Sequence, residues 1–302
     1  MSGHGNSARA IFYALGANVG IFLAKAVAAA FTGSGAMLAE AVHSLADCGN
    51  QGLLLLGMKR AKLAPTPDYP LGHGKEVYFW SFLVALMIFS VGGAFSVYEG
   101  VHKLSHPASL SWPWLGVGVL VFSVVLEWLS LRACMVEVNQ AREGATLWRW
   151  FRESRSSELI VIFGEQLAAL LGLVLALIAI VVTLATGNPV YDAIGTLAIG
   201  VLLIVVAVFV AIEIKALLIG QSVGPAQRAA IRKFLEDRPE ILHIHNVITL
   251  QLGPDVMVAV QASMHPELRF AELVSRINTI EADMRREFPD VKWSFFEPDD
   301  SD

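Results

Sequence analysis

Mainly apolar runs recur six times along the chain, at roughly 9–31, 36–58, 77–103, 112–136, 157–186 and 190–220. Each reaches the length of about 20 residues that an α-helix needs to cross a bilayer core. After "LLIGQSVG" the texture turns polar. "GPAQRAAIRKFLEDRPEI" and "AELVSRINTIEADMRREF" have amphipathic helical spacing. "VITLQL" alternates apolar Ile248, Leu250 and Leu252 with Thr249 and Gln251, and "VMVAVQASM" and "VKWSFF" read as two more strands, with "LGPD" as a turn. The pattern predicts an α-helical membrane protein: six transmembrane helices over 1–220, then a cytoplasmic α+β domain of order αββαβ over 221–302, both its helices on one face of the sheet.

Composition agrees with a membrane setting: 55% of the 302 residues are hydrophobic and 16% charged. The apolar run after "MSGHGNSARA" lacks a small-residue cleavage site, so the first span is expected to be retained. Cys48 and Cys134 form no CxxC pair and read as small apolar fillers. Connections after runs 1, 3 and 5 hold no Lys or Arg. Those after runs 2 and 4 carry Lys59, Arg60, Lys62 and Lys75, then Arg142, Arg149, Arg152 and Arg155. The positive-inside rule therefore puts both termini in the cytoplasm. Trp112 and Trp114 suit an outer interfacial belt, and Trp148 and Trp150 an inner one. Residues 222–302 hold 14 acidic and 9 basic residues, leaving 13 of each in 1–221, so the net charge of −5 belongs to the tail. An acidic tail argues against nucleic acid as a partner.

Polar interruptions carry the candidate chemistry, because ionisable groups in a bilayer are costly and normally face a bundle interior or a water-filled path. In "AEAVHSLAD", Glu40, His43 or Ser44, and Asp47 share a helical face. His43 and Asp47, at i and i+4, can offer an imidazole nitrogen and a carboxylate oxygen to one divalent ion such as Zn²⁺. The alternative is a hydrogen-bonded pair that glues helices together. Run 5 has one polar break, "FGEQLAALLG", with Glu165 and Gln166. Asn18, Glu99, Glu127 and Asp192 read as structural or interfacial polar groups, and Lys25 as a snorkelling or packing side chain. The loop "PTPDYPLGHGKEVYFW" adds Asp68 and His73, either a second metal-capturing pair or a rigid connection with an incidental His.

The stretches "AEAVHSLADCGNQGLLLLGMKRA", "YPLGHGKEVYFWSFLVALMIFSVGGAFSVYEGVHKL", "ESRSSELIVIFGEQLAALLGL" and "DAIGTLAIGVLLIVVA" closely resemble the cation diffusion facilitators, most of all the bacterial members related to the mitochondrial-type zinc transporters. The resemblance implies a homodimeric antiporter in the bacterial inner membrane that expels Zn²⁺, or a similar divalent metal, in exchange for H⁺. No prosthetic group and no enzymatic activity are implied. It also implies a metallochaperone-like tail that dimerises, a transport site between spans 2 and 5 with His43 and Asp47 as the span 2 half, and a secondary metal position at His73 and Asp68.

The chain departs from that family at two places. Many members carry His or Asp four residues before an Asp in span 5. Here alignment on Gly172 puts Gln166 at the acidic position, alignment on Gly164 puts Glu165 there, and Val161 or Ile162 fills the earlier one. The ligand set then becomes His43, Asp47 and Glu165, completed by Gln166 or water. In the tail, His245 matches a metal-binding position, Gln261 and Phe296 occupy others, and Glu297 is the nearby acidic replacement. These departures leave two alternatives: a non-transporting scaffold or regulatory relative, or a transporter selective for Fe²⁺, Co²⁺, Cd²⁺ or Mn²⁺.

Overall fold

The computed structural model describes residues 3–32, 35–106, 113–267 and 269–300; the side chains of residues 3–7, 29, 31–32, 35–40, 42–43 and 113 lie outside that description. Long helices dominate: α1 (Gly3–Thr32), α2 (Gly35–Arg60), α3 (Glu76–Met87), α4 (Phe95–Ser105), α5 (Pro113–Ala141), the short α6 (Leu147–Glu153), α7 (Ser157–Thr186) and α8 (Val190–Ile219). A π-helical segment, Ile88–Ala94, joins α3 to α4, so Glu76–Ser105 crosses as one 30-residue helical rod. Among the described residues five helical stretches are long and apolar enough to cross a membrane, in α1, α3–α4, α5, α7 and α8. At 26 residues α2 is also long enough to cross, but Asp47, Asn50 and Gln51 interrupt its apolar run.

The helices meet through small residues, as expected where lipid is as apolar as any side chain and close backbone approach supplies the attraction. Gly200 of α8 lies against the π segment and α4: a Cβ there would sit 2.7 Å from Val97 N and 3.0 Å from Gly93 O. Asp192, at the start of α8, receives a hydrogen bond from Lys103 Nζ of α4 at 3.0 Å, as the structural reading of this residue requires. The core runs from Ile11 and Ala14 through Leu54, Tyr78 and Val84 to Ile160, Val210 and Ile214, drawing on α1, α2, α3, α7 and α8. In α6, Trp150 is buried and Trp148 exposed, so only Trp148 is free to meet an interface; Trp114 is exposed and Trp112 lies outside the described residues.

The tail follows the expected order: α9 (Pro225–Glu236), β1 (Ile241–Leu252), β2 (Asp255–Met264), α10 (Phe270–Glu287) and β3 (Val291–Pro298). β2 is central, antiparallel to β1 and parallel to β3. Its Val256, Val258, Val260 and Ala262 share one core with Ile231 and Leu235 of α9 and Ile280 and Met284 of α10, so both helices cover one face. β1 is longer than the pattern predicts because a register shift between Ile244 and Asn246 breaks the alternation at its start.

The tail docks directly onto the membrane part. Gly253, at φ +67°, turns the β1–β2 hairpin and donates its N–H to Tyr78 Oη of α3 at 2.9 Å. Arg155, just before α7, donates from Nε to Ser222 O at 2.7 Å. Burial pulls the Arg155 pKa below its ordinary value, and the neighbouring Tyr78, Glu153 and Glu213 oppose that shift.

Candidate metal site between α2 and α7

The polar face of α2 meets the single polar break of α7. Glu165 is almost completely buried, and its Oε1 accepts hydrogen bonds from Gln51 Nε2 at 3.0 Å and Asn50 Nδ2 at 3.3 Å. Gln51 is anchored in turn by Asn18 Nδ2 of α1, which donates to its Oε1 at 3.3 Å. Asn50 and Gln51 lie three and four residues beyond Asp47, so they prolong the polar face by one helical turn. The residue pattern contained that signal, since the face through Glu40, His43 or Ser44, and Asp47 continues to them.

Asp47 is half-buried, on the same helix as the two amides that hold Glu165. Cys48 lies within reach of both the Asp47 and the Glu165 charges. The second carboxylate oxygen of Glu165, Asn50 Oδ1 and both amide atoms of the fully buried Gln166 have no hydrogen-bond partner among the described residues. A buried polar atom without a partner costs free energy of the order of 1–3 kcal/mol. Glu165 and Asn50 are joined by a hydrogen bond, so their two unpartnered oxygens are neighbours that could accept a guest such as a cation. His43 belongs to α2, but its side chain, like that of Glu40, lies outside the described residues. Among the described residues no group of three His, Cys, Asp or Glu is arranged to hold a metal ion.

The other sequence candidates stand elsewhere. His73 stacks on Tyr69 with ring centroids 4.6 Å apart, and its Nδ1 is buried without a hydrogen-bond partner among the described residues; Asp68 is exposed. In the tail, His245 Nε2 hydrogen-bonds Ser263 Oγ at 2.7 Å and its ring lies 4.9 Å from that of His243. Glu297 is exposed on β3, with β2 between it and the β1 residue His245, a backbone separation of about 10 Å. Gln261, opposite Glu297, donates to Asp299 Oδ2 at 2.9 Å.

Comparison with known proteins bears on this geometry. A family profile described as "Cation efflux transmembrane domain" matches residues 11–219. The chain is 36% identical over 234 residues to the mitochondrial proton-coupled zinc antiporter SLC30A9 of Mus musculus, covering 76% of this chain and 41% of that one. The Homo sapiens protein of that name gives the same identity and coverage. Metal tolerance protein C4 of Arabidopsis thaliana is 31% identical over 254 residues, covering 82% and 55%. The chain thus spans about half the length, or less, of these relatives.

Proposed function

The chain belongs to the cation efflux family, the cation diffusion facilitators, and from that membership we propose that it exports a divalent metal ion, Zn²⁺ first, by exchange with protons. The observation that carries the reading is the buried Glu165 of α7, held by Asn50 and Gln51, one helical turn from Asp47 on α2. The similarity to proteins named as proton-coupled zinc antiporters supports both the cargo and the counter-ion. Imidazole and carboxylate ligands suit Zn²⁺ better than the oxygen-preferring Mg²⁺ or Ca²⁺.

In this reading α2 also crosses the membrane, as the second of six spans, and His43, Asp47 and Glu165 ligate the cargo ion, with Gln166 or water completing the shell. Asn50 and Gln51 orient Glu165 and leave its second oxygen for the ion. Binding needs neutral His43 and ionised carboxylates, so protons compete with the ion for the same atoms. Protons arriving from outside expel the metal, and the emptied site returns once they leave to the cytoplasm. Helix pairs rocking about this fixed site give alternating access. His73 with Asp68, on the loop before α3, forms a cytoplasmic capture point, and His245 and Glu297 are the tail positions to examine for a regulatory ion.

The chain works as a homodimer in a bacterial inner membrane, with both termini cytoplasmic. Support for dimerisation comes from the sheet face opposite α9 and α10, where Ile248, Ala259 and Phe295 are cross-strand neighbours and Ile248 and Phe295 are 54% and 55% exposed. Apolar patches of this kind mark contact surfaces.

The test is ion flux into liposomes holding the purified protein under an imposed pH gradient, with Zn²⁺, Fe²⁺, Co²⁺, Cd²⁺ and Mn²⁺ compared. Zn²⁺ flux that collapses when the gradient is dissipated is the expected result. A protein inert toward every ion is a scaffold.

A further inference from the structure

The end of the long rod farthest from the tail carries two histidines, His102 and His106, that the α2–α7 site does not use. The rod begins at Glu76, beside Tyr78 and the hydrogen bond it receives from Gly253 of the tail. His102 lies 26 residues further on, about 40 Å at 1.5 Å per residue, and His106 caps the C-terminus of α4. The pair therefore sits at the membrane face opposite the tail.

Tyr98, His102 and His106 recur every four residues and share one stripe of α4. Another side of the helix is taken up by α8: a Cβ on Gly100 would meet Leu197, and Lys103 Nζ donates to Asp192 Oδ2 and Thr196 Oγ1. The stripe is left outside, with both imidazoles exposed. Their ring centroids are 4.8 Å apart and their planes 24° from parallel. Neither imidazole makes a hydrogen bond or ion pair among the described residues. The Lys103 ammonium that lies between them in sequence is matched by the Asp192 carboxylate at 3.0 Å, so little uncompensated positive charge opposes a cation.

Two imidazoles at i and i+4 have the spacing at which a helix offers both rings to one metal ion. Zn–N bonds of about 2.0–2.1 Å in a tetrahedron need the two nitrogens roughly 3.3 Å apart. Rotation of two exposed rings about their side-chain bonds gives that approach from the observed stack without moving the helix. The competing account is an interfacial aromatic ladder, since Tyr98 also stacks on His102 at 6.3 Å. A ladder uses the ring faces and leaves the nitrogens idle, so the two accounts separate by experiment.

We propose that His102 and His106 bind a borderline divalent transition-metal cation, such as Zn²⁺, at the membrane face opposite the tail, with water filling its remaining positions. Imidazole donors select such an ion over Mg²⁺ or Ca²⁺. Two protein ligands and an open shell make an exchangeable site, unlike a structural one closed by four. In the export reading above, the pair meets the ion as it leaves; binding by the pair does not depend on that reading.

The experiment follows diethyl pyrocarbonate modification of each histidine by peptide mass spectrometry, in the full chain in lipid nanodiscs, as Zn²⁺ is raised. His102 and His106 are expected to be protected together, at one Zn²⁺ midpoint, with no protection by Mg²⁺. Linking two ligands gains about a hundredfold or more over one. His102→Gln is accordingly expected to raise the Zn²⁺ concentration that protects His106 by about a hundredfold. No protection of either ring by Zn²⁺, equal protection of His106 in His102→Gln, or equal protection by Mg²⁺ overturns the proposal. Asp47→Ala keeps the two sites apart: its His102 and His106 are expected to be protected as in the native chain. Protection lost in that variant would mean that the rings respond to the α2–α7 site without binding the ion themselves, which also overturns the pair. Flux that survives in Asp47→Ala removes the transport-site reading and leaves the pair standing.

Discussion

Glu165 shows how far one carboxylate depends on its neighbours. Two amides hold one of its oxygens, and the other has no hydrogen-bond partner among the described residues. Groups that orient a metal ligand typically change metal affinity 10–100-fold when removed. Gln51→Leu is accordingly expected to weaken Zn²⁺ transport by about tenfold or more in KM, while the chain stays folded by gel filtration. Gln166→Asp adds a carboxylate beside Glu165, at the position that alignment on Gly172 expects to be acidic. The expected outcome is a changed ion preference or pH dependence of flux, and profiles identical to native argue against a role for this position. Glu165 was legible in the sequence because a carboxylate in an apolar run stands out. Asn50 and Gln51 do not stand out from sequence, since uncharged amides do not look costly until the structure shows what they hold. Lys25 reads from sequence as a snorkelling or a packing side chain, and only the structure decides, burying it with its Nζ on Ser44 Oγ.

At the scale of the element, composition and period fix the long helices well. Five described helical stretches match apolar runs, and α2 differs because Asp47, Asn50 and Gln51 interrupt its apolar run. The π segment at Ile88–Ala94 was not readable, since a π turn and an α turn demand the same apolar residues. Its role is packing: Gly93 and Gly200 let the rod and α8 approach at backbone distance. Gly200→Val places a side chain against Val97 N and Gly93 O, neither of which can move aside as a flexible side chain would. Overpacking of this kind costs about 1–3 kcal/mol, and a lowered midpoint of thermal unfolding in detergent checks it. In the tail the alternation of β2 specified the buried face, but the irregular start of β1, with His243, His245 and Asn246, hid its first six residues, Ile241–Asn246.

The whole molecule is held together where the β1–β2 hairpin meets the loop before α3. No sequence pattern indicates such a contact, because it joins residues far apart along the chain and turns on the lack of a side chain. A Cβ on Gly74 would overlap the Leu252 carbonyl oxygen. Gly74→Ala is therefore expected to release the hairpin from Tyr78, raising amide hydrogen exchange at Gly253 while the tail's own circular dichroism signature persists. Unchanged exchange there would mean that the docking tolerates a methyl group. Dimerisation belongs to the same scale. Ile248→Glu puts a charge on the apolar face shared with Phe295 and is expected to shift the purified protein toward monomer by light scattering.

These scales converge on the buried Glu165 of α7, held by Asn50 and Gln51 of α2, in a chain of the cation efflux family. The most direct test is proton-driven Zn²⁺ flux in liposomes for the native chain, Asp47→Ala and Glu165→Ala, each confirmed folded and equally reconstituted. Flux in the native chain that falls by about a hundredfold or more in both variants is the predicted result. Flux that survives undiminished in either variant would contradict the site.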